Sequence, residues 1–116
     1  MFRKILISVA LLISAAPTWA ATLYIEEFSQ PRVVYYQAAS TPGVAKQTVA
    51  ISGSSTQSAA FSGYTVLIRV HADSICSVEI GGASPTATTT SMRMTAGQTE
   101  YFIVNPGDKL AVISNT

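Results

Sequence analysis

After residue 20, apolar and polar residues alternate in short runs, and no stretch keeps apolar residues at helical spacing. The runs are rich in Val, Ile, Tyr, Phe and Thr, and clusters of Gly, Pro, Ser and Asn separate them. The predicted strands are 22–28, 33–37, 46–51, 64–71, 76–80, 90–94, 100–104 and 109–114. We therefore expect an all-β fold, a single small antiparallel β-sandwich of jelly-roll or immunoglobulin-like type with about seven or eight strands.

Two of these strands show what the alternation implies for burial. In strand 64–71, one face is apolar and predicts a core face, with Val66, Ile68 and Val70. The opposite face carries Leu67, Arg69 and His71, a mixture that suits a rim or a contact surface. In strand 100–104 both faces are apolar or aromatic, so we expect both to be partly buried. The loops 37–45, 51–63 and 81–90 are rich in small residues and would be weakly ordered by themselves.

Residues 1–20 have the pattern of a secretory signal peptide. Arg3 and Lys4 precede an apolar run that Pro17 ends, and Thr18 and Ala20 place small residues at the two positions that a signal peptidase inspects. We expect a signal helix cleaved after Ala20, with Ala16 as a weaker site, a β-sandwich domain over 21–116, and no stable membrane insertion after cleavage. An uncleaved anchor and a misassigned start are the alternatives.

The charge of the remaining chain is close to zero. The sequence has seven Lys and Arg and six Asp and Glu, and removal of 1–20 takes two of the seven, which leaves a net charge of about −1. These charges are evenly spread and form no basic stripe. The composition therefore argues against nucleic acid and anionic membranes as partners.

Cys76 is the only cysteine, so no disulfide can form within the domain. A small secreted domain without disulfides depends on core packing or on assembly with copies or partners. This favours a homo-oligomeric or particle-bound protein, and a self-sufficient small β-domain is the alternative.

The stretch 71–76, HADSIC, holds the only histidine and the only cysteine. A zinc site normally needs three or four ligands, and Asp73 and Glu79 would have to complete the set. The alternation around Cys76 instead predicts a packed strand residue, and free cysteines are commonly buried. We interpret HADSIC as the corner of a β-hairpin, with His71 on a rim and Asp73 starting the turn, and predict neither a catalytic nor a metal site.

The remaining motifs point to interaction surfaces rather than to catalytic sites. Glu26 and Glu27 are adjacent in a strand and point to opposite faces, so they cannot flank one glycosidic bond. Tyr24, Tyr35 and Tyr36 either form an exposed aromatic platform or pack in a core or interface, and burial is the favoured interpretation. No cofactor is predicted, because G-x-G-x-x-G, P-loop and C-x-x-C motifs are absent from the sequence.

The segment 90–97, TSMRMTAG, places two methionines on one strand face with Arg93 opposite. Such a strand either lines a subunit contact or belongs to an ordinary core. The possible interaction surface predicted from the sequence comprises Tyr35, Tyr36, Arg69, His71, Met92, Arg93 and Met94.

The C-terminal half has a combination of motifs that points to a family. It contains H-x-D-x-I-C-S-V, then PTATTTSMRM-x-AGQTEYF-x-V, a PG turn and a closing AVI-x-N, and ATLYI stands at 21–25. The combination resembles a family of small proteins encoded among the virion-structure genes of tailed bacteriophages. The resemblance implies a non-enzymatic virion protein, a capsid decoration or head-associated protein that binds itself or the capsid protein.

One feature departs from that family. Virion proteins of this kind assemble in the cytoplasm and need no secretory signal, whereas residues 1–20 resemble one. The expected location is therefore the virion, and the alternative is a secreted periplasmic or extracellular β-sandwich binding module.

Overall fold

A computed structural model describes residues 21–29 and 42–116, and this part of the chain is all-β. Its strands are β1 Thr22–Ser29, β2 Ala45–Ala50, β3 Thr56–Gln57, β4 Thr65–Ala72, β5 Cys76–Ile80, β6 Met92–Met94, β7 Thr99–Ile103 and β8 Leu110–Ser114. The all-β prediction is confirmed, and within these two ranges no helix is long and apolar enough to cross a membrane. The short β3 was not predicted and lies in a stretch expected to be a loop. The predicted strand 33–37 and the signal helix lie outside the described residues.

The strands form two antiparallel four-stranded sheets. Sheet A has the order β2-β1-β4-β7, and sheet B has the order β3-β8-β5-β6. Only β1 with β2 and β5 with β6 are neighbours both in sequence and in a sheet. The chain therefore passes repeatedly from one sheet to the other, as a sandwich requires.

The core lies between the sheets and uses the alternate positions that the pattern predicted. Ile68 and Val70 of β4 are fully buried, whereas Arg69 and His71, which alternate with them, are half-buried. Val66, also predicted for the core face, is half-buried. The buried cluster draws side chains from both sheets: Leu23, Ile25, Val49, Ile51, Phe61, Ile68, Val70, Ala72, Cys76, Val78, Met94, Val104, Leu110 and Val112. Burial of each large aliphatic side chain contributes roughly 1.5–3 kcal/mol, so this layer is the main stabilising feature of the fold.

The HADSIC corner is not a hairpin, which corrects the sequence-based interpretation. β4 belongs to sheet A and β5 to sheet B, and the two strands do not pair. The backbone N–H of Asp73 donates to Thr22 O of β1 at 3.1 Å, which fixes the point where the chain leaves sheet A. The corner therefore carries the chain across the core from one sheet to the other.

One carboxylate interrupts the apolar layer, at the end of β1. Glu27 is only 2% exposed, and its Oε1 accepts hydrogen bonds from the Ser62 N–H and the Thr65 hydroxyl, both at 2.8 Å. Its Oε2 accepts a hydrogen bond from Gln47 Nε2 at 3.1 Å. No Lys, Arg or His pairs with this carboxylate in the described ranges, so neutral donors alone compensate its burial.

Gly43 lies directly over this part of β1. A Cβ atom at position 43 would lie 2.5 Å from Glu27 O and 2.8 Å from Glu26 Cγ. The next residue, Val44, donates its N–H to the same Glu27 oxygen at 2.9 Å. Only glycine allows this close approach of the two backbones without displacement.

The loop after β5 lies along the outer face of sheet B. Gln57 Nε2 donates to Pro85 O at 2.9 Å, and the Ala87 N–H donates to Ser55 Oγ at 2.9 Å. Asn115 Nδ2 donates both to Ser77 Oγ, at 2.7 Å, and to Thr89 O, at 3.1 Å. The loop is thus tied to both ends of the face, although its small residues alone predicted weak order.

Candidate interaction surface

The outer face of sheet A is formed by side chains that alternate with the core positions of its four strands. The registers align these side chains in three rows that run across the strands. The first row is Thr48, Tyr24, His71 and Thr99; the second is Lys46, Glu26, Arg69 and Tyr101; the third is Phe28, Leu67 and Ile103. On this face Tyr24 is 46% exposed, Tyr101 55% and Ile103 79%, whereas Phe28 in the third row is buried.

A shallow depression of about 490 Å³ occupies the middle of this face. Side chains of β1, β2 and β4 line it, among them Tyr24, Glu26, Lys46, Arg69 and His71. The depression follows from the pattern of the strands, because a tyrosine and several long charged side chains stand around shorter neighbours on a pleated surface. It is open to solvent and suits a side chain or an extended segment of a partner better than an enclosed small ligand.

In the second row, Lys46 has a charged partner among the described residues and Arg69 has none. Lys46 Nζ lies 3.7 Å from Glu26 Oε1, and the same carboxylate oxygen accepts a hydrogen bond from the Gly43 N–H at 3.2 Å. Arg69 is half-buried between Glu26 and Tyr101 in the register, yet its guanidinium makes no hydrogen bond or ion pair with any described residue. A planar guanidinium beside exposed tyrosines is available both for stacking and for bidentate hydrogen bonds.

His71 is held in the first row by neighbouring polar groups. Its Nδ1 is 2.7 Å from Thr99 Oγ1, and its Nε2 is 3.9 Å from Asp73 Oδ1. A hydroxyl, an imidazole and a carboxylate in this order resemble a catalytic triad. However, 3.9 Å exceeds the length of a hydrogen bond, so Asp73 does not orient the ring. Among the described residues, only the Thr99 hydroxyl is hydrogen-bonded to it.

The histidine and the cysteine of HADSIC lie on opposite sides of sheet A. Cys76 is fully buried in the core, and burial raises the pKa of its thiol, whereas His71 is on the outer face. A cysteine–histidine nucleophile pair is therefore excluded by geometry. In residues 21–29 and 42–116, no three side chains of His, Cys, Asp or Glu come together as metal ligands.

The predicted surface residues do not all share one face. Arg69 and His71 lie together on sheet A, but β6 is the edge strand of sheet B. Met92 is 45% exposed and Arg93 is exposed, whereas Met94 is fully buried in the core. The assignment of Met94 to a surface is therefore wrong, because its strand position opposite Cys76 places it between the sheets. Tyr35 and Tyr36 lie outside the described residues.

The structure adds Tyr24, Tyr101 and Ile103 to the surface. The expectation that both faces of strand 100–104 are partly buried is wrong, because β7 is an edge strand whose outer side is exposed. The alternation of side chains correctly predicted that Tyr101 and Ile103 share one face of the strand. That face is exposed to solvent because β7 lies at the edge of the sheet, which the alternation does not show. No protein-family model, curated protein or solved structure matches this chain.

Proposed function

We propose that the protein is a non-enzymatic structural component that binds protein through the outer face of sheet A. The observation that carries this proposal is the contrast between the two faces. In sheet B a loop of the chain covers the small side chains Ser77 and Ala111, whereas sheet A exposes two tyrosines and an isoleucine beside an arginine that has no partner among the described residues. Tyrosine and arginine are over-represented among the residues that dominate binding energy at protein interfaces.

The resemblance of the C-terminal half to virion proteins of tailed bacteriophages supports a specific setting. The protein would be a capsid decoration or head-associated protein in a phage or prophage virion, and its partners would be copies of itself or the capsid protein. A sheet face with exposed aromatic side chains suits such a role, since decoration of a lattice requires repeated contacts with a folded surface.

The test compares single alanine variants for incorporation into particles. Loss of a central interface side chain typically costs about 2 kcal/mol, so Tyr24→Ala and Arg69→Ala are expected to reduce occupancy about 30-fold at limiting protein concentration. Tyr64→Ala is the matched control, because Tyr64 is 79% exposed and lies outside the three rows. Particles of the source that lack the protein in mass spectrometry would refute the virion role.

A second candidate function is a secreted binding module, and the signal-like pattern of residues 1–20 favours it. The same sheet A face would then bind a partner in the periplasm or outside the cell. Determination of the N-terminus separates the two: a mature chain starting at Ala21 in an exported fraction supports the module. A chain found only in cytoplasmic particles supports the virion protein.

A further inference from the structure

The four outermost strands of the two sheets differ in how well their free edges are protected. In sheet B, β3 has two residues and β6 three, so each offers little backbone to a partner. In sheet A, the Gln47 side chain of β2 accepts from the Ala59 N–H at 2.9 Å and donates to Ala59 O at 3.3 Å. β2 also carries Lys46, whose side chain is 68% exposed, whereas β7 has no lysine and no described segment covers its five residues.

The hydrogen bonds at the two ends of β7 define which of its backbone groups are free. The Ala72 N–H donates to Gln98 O, and the Val104 N–H donates to Val66 O, both at 3.0 Å. In an antiparallel pair, alternate residues bond to the same neighbour, so the even-numbered residues of β7 face β4. The N–H and C=O groups of the three odd-numbered residues, Thr99, Tyr101 and Ile103, therefore point away from sheet A, and no described residue bonds to them.

The side chains of β7 do not protect this edge. Proteins commonly protect a free edge with lysine, proline, a bulge or a very short strand. β7 has five residues, TEYFI, pairs with β4 in unbroken register, and exposes Tyr101 and Ile103 beside its free backbone groups. An edge of this length and composition is suited to pairing with another strand.

We propose that β7 pairs with β7 of a second copy, antiparallel about a two-fold axis at Tyr101, so that the two copies of sheet A become one continuous sheet. This inference rests on the proposed function and names one partner for it. The axis at Tyr101 overlaps all five residues of each strand and pairs all three outward-pointing backbone positions. On the outer face, Tyr101 lies opposite its copy and Ile103 opposite Thr99, pairs that stabilise antiparallel sheets.

The position of Glu100 favours this pairing register over the alternative registers. With the axis at Tyr101, Glu100 of one copy lies opposite Phe102 of the other. A parallel pairing in register, or an antiparallel axis at Glu100, would place two glutamates side by side, which destabilises a sheet. An axis at Phe102 avoids the glutamates but leaves Thr99 outside the ladder, with fewer hydrogen bonds.

The first test measures the association of the whole protein by analytical ultracentrifugation. The wild type is expected to form a concentration-dependent dimer, and Ile103→Lys to weaken it at least about tenfold, since each dimer contains the substitution twice. Tyr64→Lys is the matched control, because Tyr64 and Ile103 are both 79% exposed and Tyr64 is not on β7. Unchanged circular dichroism and melting temperature establish that both variants fold.

The second test reads the register by cross-linking. Cys76 is buried, so a cysteine placed on β7 is the accessible thiol of the folded chain. Across the proposed axis the two Tyr101 Cα atoms would be about 5.5 Å apart, within the range of a disulfide, whereas the two Ile103 Cα atoms would be roughly 14 Å apart. Tyr101→Cys is therefore expected to give a disulfide-linked dimer on mild oxidation, and Ile103→Cys is not.

Three results would overturn the proposal: a monomer at all concentrations, a preferred cross-link through Ile103→Cys, or slow exchange of the Tyr101 amide proton in a monomer. The last would mean that another segment covers the edge. A monomer whose binding to particles still depends on Tyr24 and Arg69 would refute the pairing and leave the proposed function standing. A dimer that forms the predicted cross-link but binds no particle would support the β7 pairing and refute the proposed function.

Discussion

The buried carboxylate of Glu27 gives the sharpest test of how this fold is held together. Its three hydrogen bonds join the end of β1 to the start of β4, to the preceding turn and to β2. In Glu27→Gln, the new amide nitrogen would face Gln47 Nε2, which is also a donor. Gln47 cannot rotate its amide without losing the bond that its Oε1 accepts from the Ala59 N–H. We expect a loss of about 1–3 kcal/mol, the usual cost of an unsatisfied buried donor together with a weakened hydrogen bond.

Glu27→Leu removes all three acceptor contacts and leaves the Ser62 N–H and the Thr65 hydroxyl facing an apolar group. Thr65 retains its contact with Ser62 Oγ at 2.7 Å, so the expected loss is about 2–5 kcal/mol rather than the full sum of the bonds. Urea unfolding followed by far-ultraviolet circular dichroism measures both variants, with Glu79→Gln as the exposed control on β5, expected within about 0.5 kcal/mol of wild type. A Glu27→Leu variant as stable as wild type would refute the reasoning, because the hydrogen bonds of Glu27 would then contribute no more than the cost of burying its carboxylate.

The remaining predictions concern packing at named positions. Gly43→Ala is expected to lower the free energy of unfolding by about 1–3 kcal/mol, and Gly53→Ala, where a Cβ would meet no atom within 4 Å, to leave it unchanged within about 0.5 kcal/mol in the same urea assay. Met94→Ala should cost about 2–5 kcal/mol and Met92→Ala under about 1 kcal/mol; equal losses would contradict their assigned burial. Cys76 should resist thiol reagents until the chain unfolds. Because the pKa of the Cys76 thiol is raised in the folded state, its contribution to the free energy of unfolding is retained below the ordinary thiol pKa of 9.0 and is lost as the pH rises beyond it. This decrease of stability with pH should be absent from Cys76→Ala.

The alternation of side chains predicted the fold well because most strands are half-buried. β5 begins and ends at the predicted residues, since Cys76 and Val78 alternate with polar neighbours and Gly81 follows directly. β4 is displaced by one residue, and Ile68 and Val70 lie in the core as predicted, whereas Val66 is only half-buried. Where the pattern is regular and turns are marked by glycine, local sequence is sufficient to place a strand.

Local sequence could not decide how the strands are arranged. A short connection such as 73–75 can close a hairpin or pass between sheets, and only pairing with distant strands distinguishes the two. The exposure of Ile103 likewise depends on β7 being an edge. The role of Glu27 depends on Ser62 and Thr65, 35 and 38 positions away, so an adjacent pair of glutamates gave no indication that one of them is buried.

The difference between the two faces follows from side-chain size as well as from hydrogen bonding. On the outer face of sheet B, Ser77 and Ala111 are small enough for a loop to lie directly on the strands, and both are fully buried. The amide groups of Gln57 and Asn115 then hold the loop through its backbone carbonyls. On sheet A, the side chains of the tyrosines and of the charged residues in the rows are too long for a loop to lie directly on the strands. The chain therefore covers the part of sheet B that has small side chains, and the rows of long, amphipathic side chains on sheet A are the surface suited to a partner.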